Sequence, residues 1–157
     1  MKKYSLGKRH KLCSLTAIDI LFADRSAEAA LAYPLRAVWR VSNRRDPNDS
    51  GPKFLISIPK KRLRRAVDRV TMRRRVREAY RLNHSEFDAA NVASQANVAD
   101  ENSVGNMLTP NARTLDIAFI YVADKLMPSR AVTGAMRKLL KTIYSPQRPD
   151  FESPNAQ

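Results

Sequence analysis

Two hydrophobic periods organise this chain, and they alternate. From Ser14 onward, Leu15, Ile18, Leu21 and Phe22 recur at helical spacing, with Asp19 and Asp24 as the polar positions of an amphipathic helix. Ser14 sits where a helix cap belongs. A short Ala-rich turn then leads to Tyr33–Ser42, where the period changes to two. Leu35, Ala37, Trp39 and Val41 fall on one face of this strand, and Arg36, Val38, Arg40 and Ser42 on the other. Residues 43–52 are polar and contain Pro47, Gly51 and Pro52, which predicts a turn segment. Phe54–Ile58 predicts a second strand, and the two strands together predict an antiparallel hairpin with a long loop. Pro59 ends the second strand, and Lys60–Arg65 is a basic connector.

A long helix is expected from about Ala66 to Leu82. Residues 85–113 show no clear period. So long a loop is unusual inside a compact domain, so the segment reads as a mobile insertion, with part of Glu86–Ala96 able to extend the helix. Leu115–Val122 is apolar on both faces toward its end, which predicts a central strand. Pro128–Tyr144 predicts a helix with Val132, Met136, Leu139, Leu140 and Ile143 on one face. Residues 1–11 are basic and read as extended; the Pro-rich stretch 145–157 reads as a disordered tail. The order is that of a single α+β domain over residues 1–144, a long basic helix packing on a small central sheet.

Composition narrows the picture. A chain of 157 residues, 43% hydrophobic, can build a real core. One cysteine, Cys13, excludes an internal disulfide framework and a Cys-based zinc site; it reads as a small buried residue of the first helix. No apolar run reaches the roughly 18–20 residues of a membrane span. The basic N-terminus is followed by no signal-type apolar core, because Asp19 and Asp24 interrupt it, so the expected location is the cytoplasm. Gly7, Gly51, Gly105 and Gly134 lie too far apart for a Gly-rich phosphate loop.

Charge changes the picture most. Twelve basic residues fall between Lys53 and Arg81 and only Asp68 and Glu78 oppose them, a net of ten positive charges out of the chain's fourteen. Charge of one sign at that density repels itself, and a polyanion is its natural partner. On a helical wheel Met72, Val76, Ala79 and Tyr80 share one face. Ala66, Val70, Arg73, Arg74, Arg77 and Arg81 share the other, with Arg69 at the boundary. Arg65, Arg69, Arg73, Arg77 and Arg81 follow one another at four-residue steps, a ridge of like charge. A solvated helix face ordinarily mixes signs. Arginine predominates over lysine, which suits bidentate phosphate contacts and stacking.

Catalytic chemistry finds little support. Asp46 and Asp49 in a turn and Asp116 in a strand form no convincing metal set, so neither catalytic nor metal-ligating residues are expected. His10 lies in the basic arm and His84 just past the helix, and both read as solvent-exposed or phosphate-touching. A helix-turn-helix lacks its first short helix.

The run from Ile58 to Arg81, IPKKRLRRAVDRVTMRRRVREAYR, resembles the signature of the bacterial ribonuclease P protein family, an Arg-Asn-x-x-Lys-Arg-x-x-Arg-Glu-type run on a helix after a strand and a basic segment. Lys8-Arg-His-Lys-Leu12, the Ile18/Leu21/Phe22 helix, the Tyr33–Val41 strand, the Leu115–Val122 strand and the closing helix resemble the family in order. The resemblance covers about residues 6–84 and 114–144. It implies an α-β-β-β-α-β-α fold, with the basic helix in a left-handed crossover where general rules favour a right-handed one. It implies a large catalytic RNA as partner, and joint removal of the 5′ leader from precursor tRNA. The RNA would hold the Mg²⁺ ions and perform the hydrolysis. No organic cofactor, obligate protein partner or membrane is implied.

By the same resemblance Arg69, Arg73, Arg74 and Arg77 match the RNA-contacting motif. Lys60 and Lys61 match the basic segment before it, and Arg65 and Arg81 extend the ridge. Ile18, Phe22 and Trp39 match leader-binding positions, where stacking on exposed bases would hold a single strand; Ile18 and Phe22 read equally well as core. Two positions depart from the motif. Val70 stands where the family has Asn and offers neither donor nor acceptor. Arg73 stands where the family has Lys. A ribosomal or general RNA-binding protein is the competing reading.

Overall fold

The computed structural model describes residues 6–43, 52–96 and 113–144. Three α-helices and four strands follow the order α1 (Leu15–Ala23), β1 (Glu28–Ala32), β2 (Leu35–Asn43), β3 (Lys53–Ser57), α2 (Ala66–Ala96), β4 (Arg113–Tyr121) and α3 (Ser129–Ile143), with a one-turn 3₁₀ helix at Lys8–His10 before them. This is the α-β-β-β-α-β-α order that the resemblance implies.

The strands lie side by side as β1-β2-β4-β3. β1 and β2 are antiparallel, β2 and β4 are antiparallel, and β3 and β4 are parallel. The expected hairpin between β2 and β3 does not form, because β4 lies between them. Burial gives the reason. Ile117, Ala118, Phe119 and Tyr121 are each at most 1% exposed, so both faces of β4 need cover, and only an interior strand has it. β1 occupies what reads as an Ala-rich turn. Alanine is a poor strand former, and here the ladder to β2 imposes the extended form on Ala29, Ala30 and Ala32.

One sheet face carries the main core. Leu35, Ala37 and Trp39 of β2, Phe54 of β3, and Ile117, Phe119 and Tyr121 of β4 meet Met72, Val76, Ala79 and Tyr80 of α2. They also meet Val132, Ala135, Met136, Leu139, Leu140 and Ile143 of α3. The wheel face read from the sequence is thus the buried one. α1 covers part of the opposite face, where Leu12, Leu21 and Ala118 are buried with Ala17, Ile18, Val38 and Leu55 packed around them. Ser14 caps α1 as expected, its Oγ accepting from the Ala17 N–H at 3.4 Å.

Helix α2 does not stop at Leu82. It runs to Ala96, so 31 residues span about 46 Å at the usual helical rise. His84 therefore lies inside the helix, not past its end, and is buried, its ring stacked on Tyr80 at 5.1 Å. No breaker stands between Leu82 and Ala96, so once the first five turns are docked the helix extends one hydrogen bond per residue. The expected insertion at 85–113 is thus helical as far as Ala96; residues 97–112 and the expected tail at 145–157 lie outside the described residues. Cys13 precedes α1 and is exposed, contrary to its reading as a buried helix residue.

The N-terminal segment is fixed as well. The Leu12 N–H donates to the Phe54 carbonyl at 3.0 Å, and Lys11 bridges Phe54 in parallel. Residues 8–10 turn rather than run extended.

Trp39 is 2% exposed within the main core, whereas Phe22 is 51% exposed. Trp39→Ala should therefore cost about 3–5 kcal/mol in urea unfolding, and Phe22→Ala under about 1 kcal/mol. Equal losses would mean that the Phe22 ring is core in solution.

Candidate nucleic-acid interface

The first five turns of α2 present two faces of opposite character. Met72, Val76, Ala79 and Tyr80 are buried, while Arg73, Arg74 and Arg77 point to solvent. The four like-charge steps along the arginine ridge cost about 1–2 kcal/mol together. Burying Met72 and Val76 alone returns about 3–6 kcal/mol. Packing therefore wins, and the charged face is carried as a consequence of docking the other.

The arginines divide by partner. Arg69 is half-buried and donates to the Leu63 and Arg64 carbonyls at 2.8 and 2.6 Å, fastening the connector onto the helix. Arg75 donates to the Met127 carbonyl, and Arg62 pairs with Asp124 at 2.8 Å. Arg81 grips Glu78 with two donors, Nε at 2.8 Å and one terminal nitrogen. Those hydrogen bonds hold the Glu78 carboxyl below the usual carboxylate range, against partial desolvation. Lys60, Lys61, Arg65, Arg73, Arg74 and Arg77 are exposed and make no side-chain hydrogen bond or ion pair among the described residues. Of the eight basic positions expected to meet RNA, these six are free to do so; Arg69 and Arg81 already hold protein acceptors.

Ile18 and Phe22 lie along one flank of α1. Asp24, on the other flank, takes hydrogen bonds from the Ser26 hydroxyl and N–H at 2.7 and 2.8 Å, and pairs with Arg40 at 3.4 Å. The Ser26 hydrogen bonds, with Arg40 adding to them, keep the Asp24 carboxyl below its ordinary value. In the sheet, Arg40, Asp116 and Lys53 form one cross-strand row. Leu31, Arg36, Ile120 and Ser57 form another row on the same face, four residues away along each strand, with Val38, Ala118 and Leu55 on the row between. Asp24 meets the first row, Ile18 packs on the Leu12, Leu21 and Ala118 cluster between the two rows, and helical periodicity puts Phe22 on the flank of α1 away from Asp24. This side of the sheet thus carries an amphipathic strip, with the exposed Leu31 paired to the exposed Arg36 in the ladder and the exposed Phe22 on α1.

Trp39 does not join that strip. It lies on the opposite sheet face, buried among the α2 and α3 side chains, and cannot stack on a base there. The alternation of β2 contains the signal, since Trp39 has the parity of Leu35 and Ala37, whereas Arg36 has the parity that faces α1. Arg36 is the residue that sequence reasoning passed over.

Among the described residues no three His, Cys, Asp or Glu side chains come together to hold a metal ion. No helix among them is long and apolar enough to cross a membrane.

The family model described as Ribonuclease P matches residues 7–144. This chain belongs to the ribonuclease P protein family. Ribonuclease P protein components from two strains of Porphyromonas gingivalis are each 33% identical to it over 140 residues, 89% of this chain and 87% of theirs. The ribonuclease P protein component of Idiomarina loihiensis is 29% identical over 106 residues, 65% of this chain and 79% of its own. The solved RNase P protein of Staphylococcus aureus superposes with a TM-score of 0.52, covering 85% of this chain and 94% of that one. At 12% identity the likeness is one of fold.

Within this family the departure at Val70 falls on the exposed arginine face, where Val70 is 44% exposed beside Arg73 and Arg74. Val70→Asn should leave folding stability within about 0.5 kcal/mol of the parent and leave RNA affinity equal or higher. A large loss of stability on unfolding in urea would place Val70 in a packed contact instead.

Proposed function

We propose that this chain is the protein subunit of ribonuclease P, binding the catalytic RNA through the arginine face of α2 and the 5′ leader of precursor tRNA beside α1. The observation that carries the first half is the set of six exposed basic side chains on α2 and its connector that make no side-chain hydrogen bond or ion pair among the described residues. Family membership supplies the RNA. A guanidinium facing a phosphate gains a charge-assisted bidentate pair and releases condensed counterions. The relief of self-repulsion along the ridge adds to that gain.

The leader half is supported by the exposed Phe22 and partly exposed Ile18 of α1 and by the exposed Leu31–Arg36 pair on the sheet face that α1 partly covers. Apolar and aromatic surface next to a cation holds a single strand without reading its sequence. The chain's work is then positional: it orients two RNAs relative to each other, and hydrolysis belongs to the catalytic RNA. Mg²⁺ in this proposal is held by RNA phosphates, and no step is assigned to a metal held by this chain.

Two measurements test this reading. Adding the protein to its cognate catalytic RNA at low Mg²⁺ should strongly stimulate removal of the 5′ leader from precursor tRNA, and the protein alone should cut nothing. Tight RNA binding without stimulation would leave a general RNA-binding protein; cleavage by the protein alone would move the chemistry onto this chain. In the second, Arg73→Ala and Arg77→Ala should each weaken binding to the catalytic RNA and lower the salt slope by about one. Unchanged slopes and affinities would remove α2 from the interface.

A further inference from the structure

The basic residues expected from the sequence to meet RNA all lie on α2 and its connector, yet the structure gives that face a second wall. The 3₁₀ turn at Lys8–His10 lies against α2. Between them runs an open-sided groove of about 480 Å³, lined by Lys8 and Lys11 on one wall and by Arg74, Arg77, Glu78 and Arg81 on the other. Glu78 is its acid, and Arg81 already grips it. That leaves two lysines facing two arginines, none of them with a side-chain hydrogen bond or ion pair among the described residues.

The turn is held there. The Gly7 N–H donates to His10 Nδ1 at 3.1 Å, and the His10 N–H to the Gly7 carbonyl at 3.2 Å. The His10 ring stands edge-on to the His84 ring on α2, with centroids 5.9 Å apart. Just beyond, Leu12 is hydrogen-bonded into the edge of β3. The chain thus fixes like charges face to face across a gap, at an electrostatic cost that Glu78, already gripped by Arg81, offsets only in part. An anion in the gap would offset it.

We propose that a backbone phosphate of the partner RNA, in a single strand, seats in this groove, with Lys8 and Lys11 closing on it from the side opposite Arg74 and Arg77. The volume lies within the roughly 300–1,000 Å³ of small-ligand sites. It suits a phosphate with its neighbouring sugars and excludes a duplex, while the open side lets the strand continue. The inference rests on the assignment of the catalytic RNA as partner, and it adds the N-terminal turn to that interface as a clamp.

The experiment measures binding of the cognate catalytic RNA across a KCl series for four proteins: the parent, Lys8→Ala/Lys11→Ala, Arg73→Ala, and Lys138→Ala/Lys141→Ala, which removes the same charge from exposed positions on α3. Circular dichroism confirms that each is folded. The Lys8/Lys11 variant should bind about tenfold more weakly at moderate salt and show a salt slope smaller by one to two. Lys8→Arg/Lys11→Arg should restore both, and the α3 variant should change neither. If Arg73→Ala weakens binding while the Lys8/Lys11 variant does not, the second wall falls and the RNA-subunit reading stands. If neither weakens binding, it is that reading that fails. If the α3 variant matches the Lys8/Lys11 variant, the effect is one of net charge and the groove is not a site.

Discussion

The docking of Tyr80 against the sheet is the contact on which the rest of this structure depends. Its ring lies 4.1 Å from Phe54 of β3 and 5.8 Å from Phe119 of β4, and His84 stacks on its other side. One side chain thereby ties the strand before α2, the strand after it and the next turn of the helix itself. Aromatic pairs of this kind add about 0.5–1.5 kcal/mol each beyond their buried area. With Tyr80 fixed, the rotation of α2 about its axis is fixed, and so is the direction in which every arginine points.

That rotation sorts side chains of one chemistry into two occupations. Arg62, Arg69 and Arg75 spend their donors on carbonyls and on Asp124, stitching the connector, the helix and the loop after β4 together. Arg73, Arg74 and Arg77, on the far side, hold nothing in the described fold. Charge density alone marks the whole run alike; only the register of the helix on the sheet distinguishes the arginines that hold protein groups from those left exposed.

Much of this was legible in the sequence. The buried face of α2 followed from the spacing of Met72, Val76 and Tyr80, that of α3 from Val132, Met136, Leu139, Leu140 and Ile143, and the central place of β4 from its doubly apolar pattern. Strand pairing was not legible, because periodicity reports which face of a strand is buried and says nothing of which strand lies beside it. β1 was hidden because alanine carries almost no strand signal of its own. The site was legible in part. The exposure of Arg73, Arg74 and Arg77 followed from the wheel, but Trp39 was put at the leader site by the resemblance although its parity with Leu35 and Ala37 put it in the core. The nearness of Lys8 and Lys11 to α2 could not be read at all, since it depends on an edge contact between Leu12 and Phe54 more than forty residues apart.

The parallel pairing of β3 with β4 has a consequence for how the chain reaches this form. Every partner in that ladder is sixty-three residues from its mate. The contacts within α2 and α3 are local, so these helices can form early, whereas the middle of the sheet must wait for a large loop to close. The cost of closure grows only with the logarithm of loop length; doubling the loop would add about 0.6 kcal/mol. The stretch between α2 and β4 can therefore lengthen or shorten over generations with little effect on the finished fold, while the rate at which the sheet is completed remains tied to that one slow encounter.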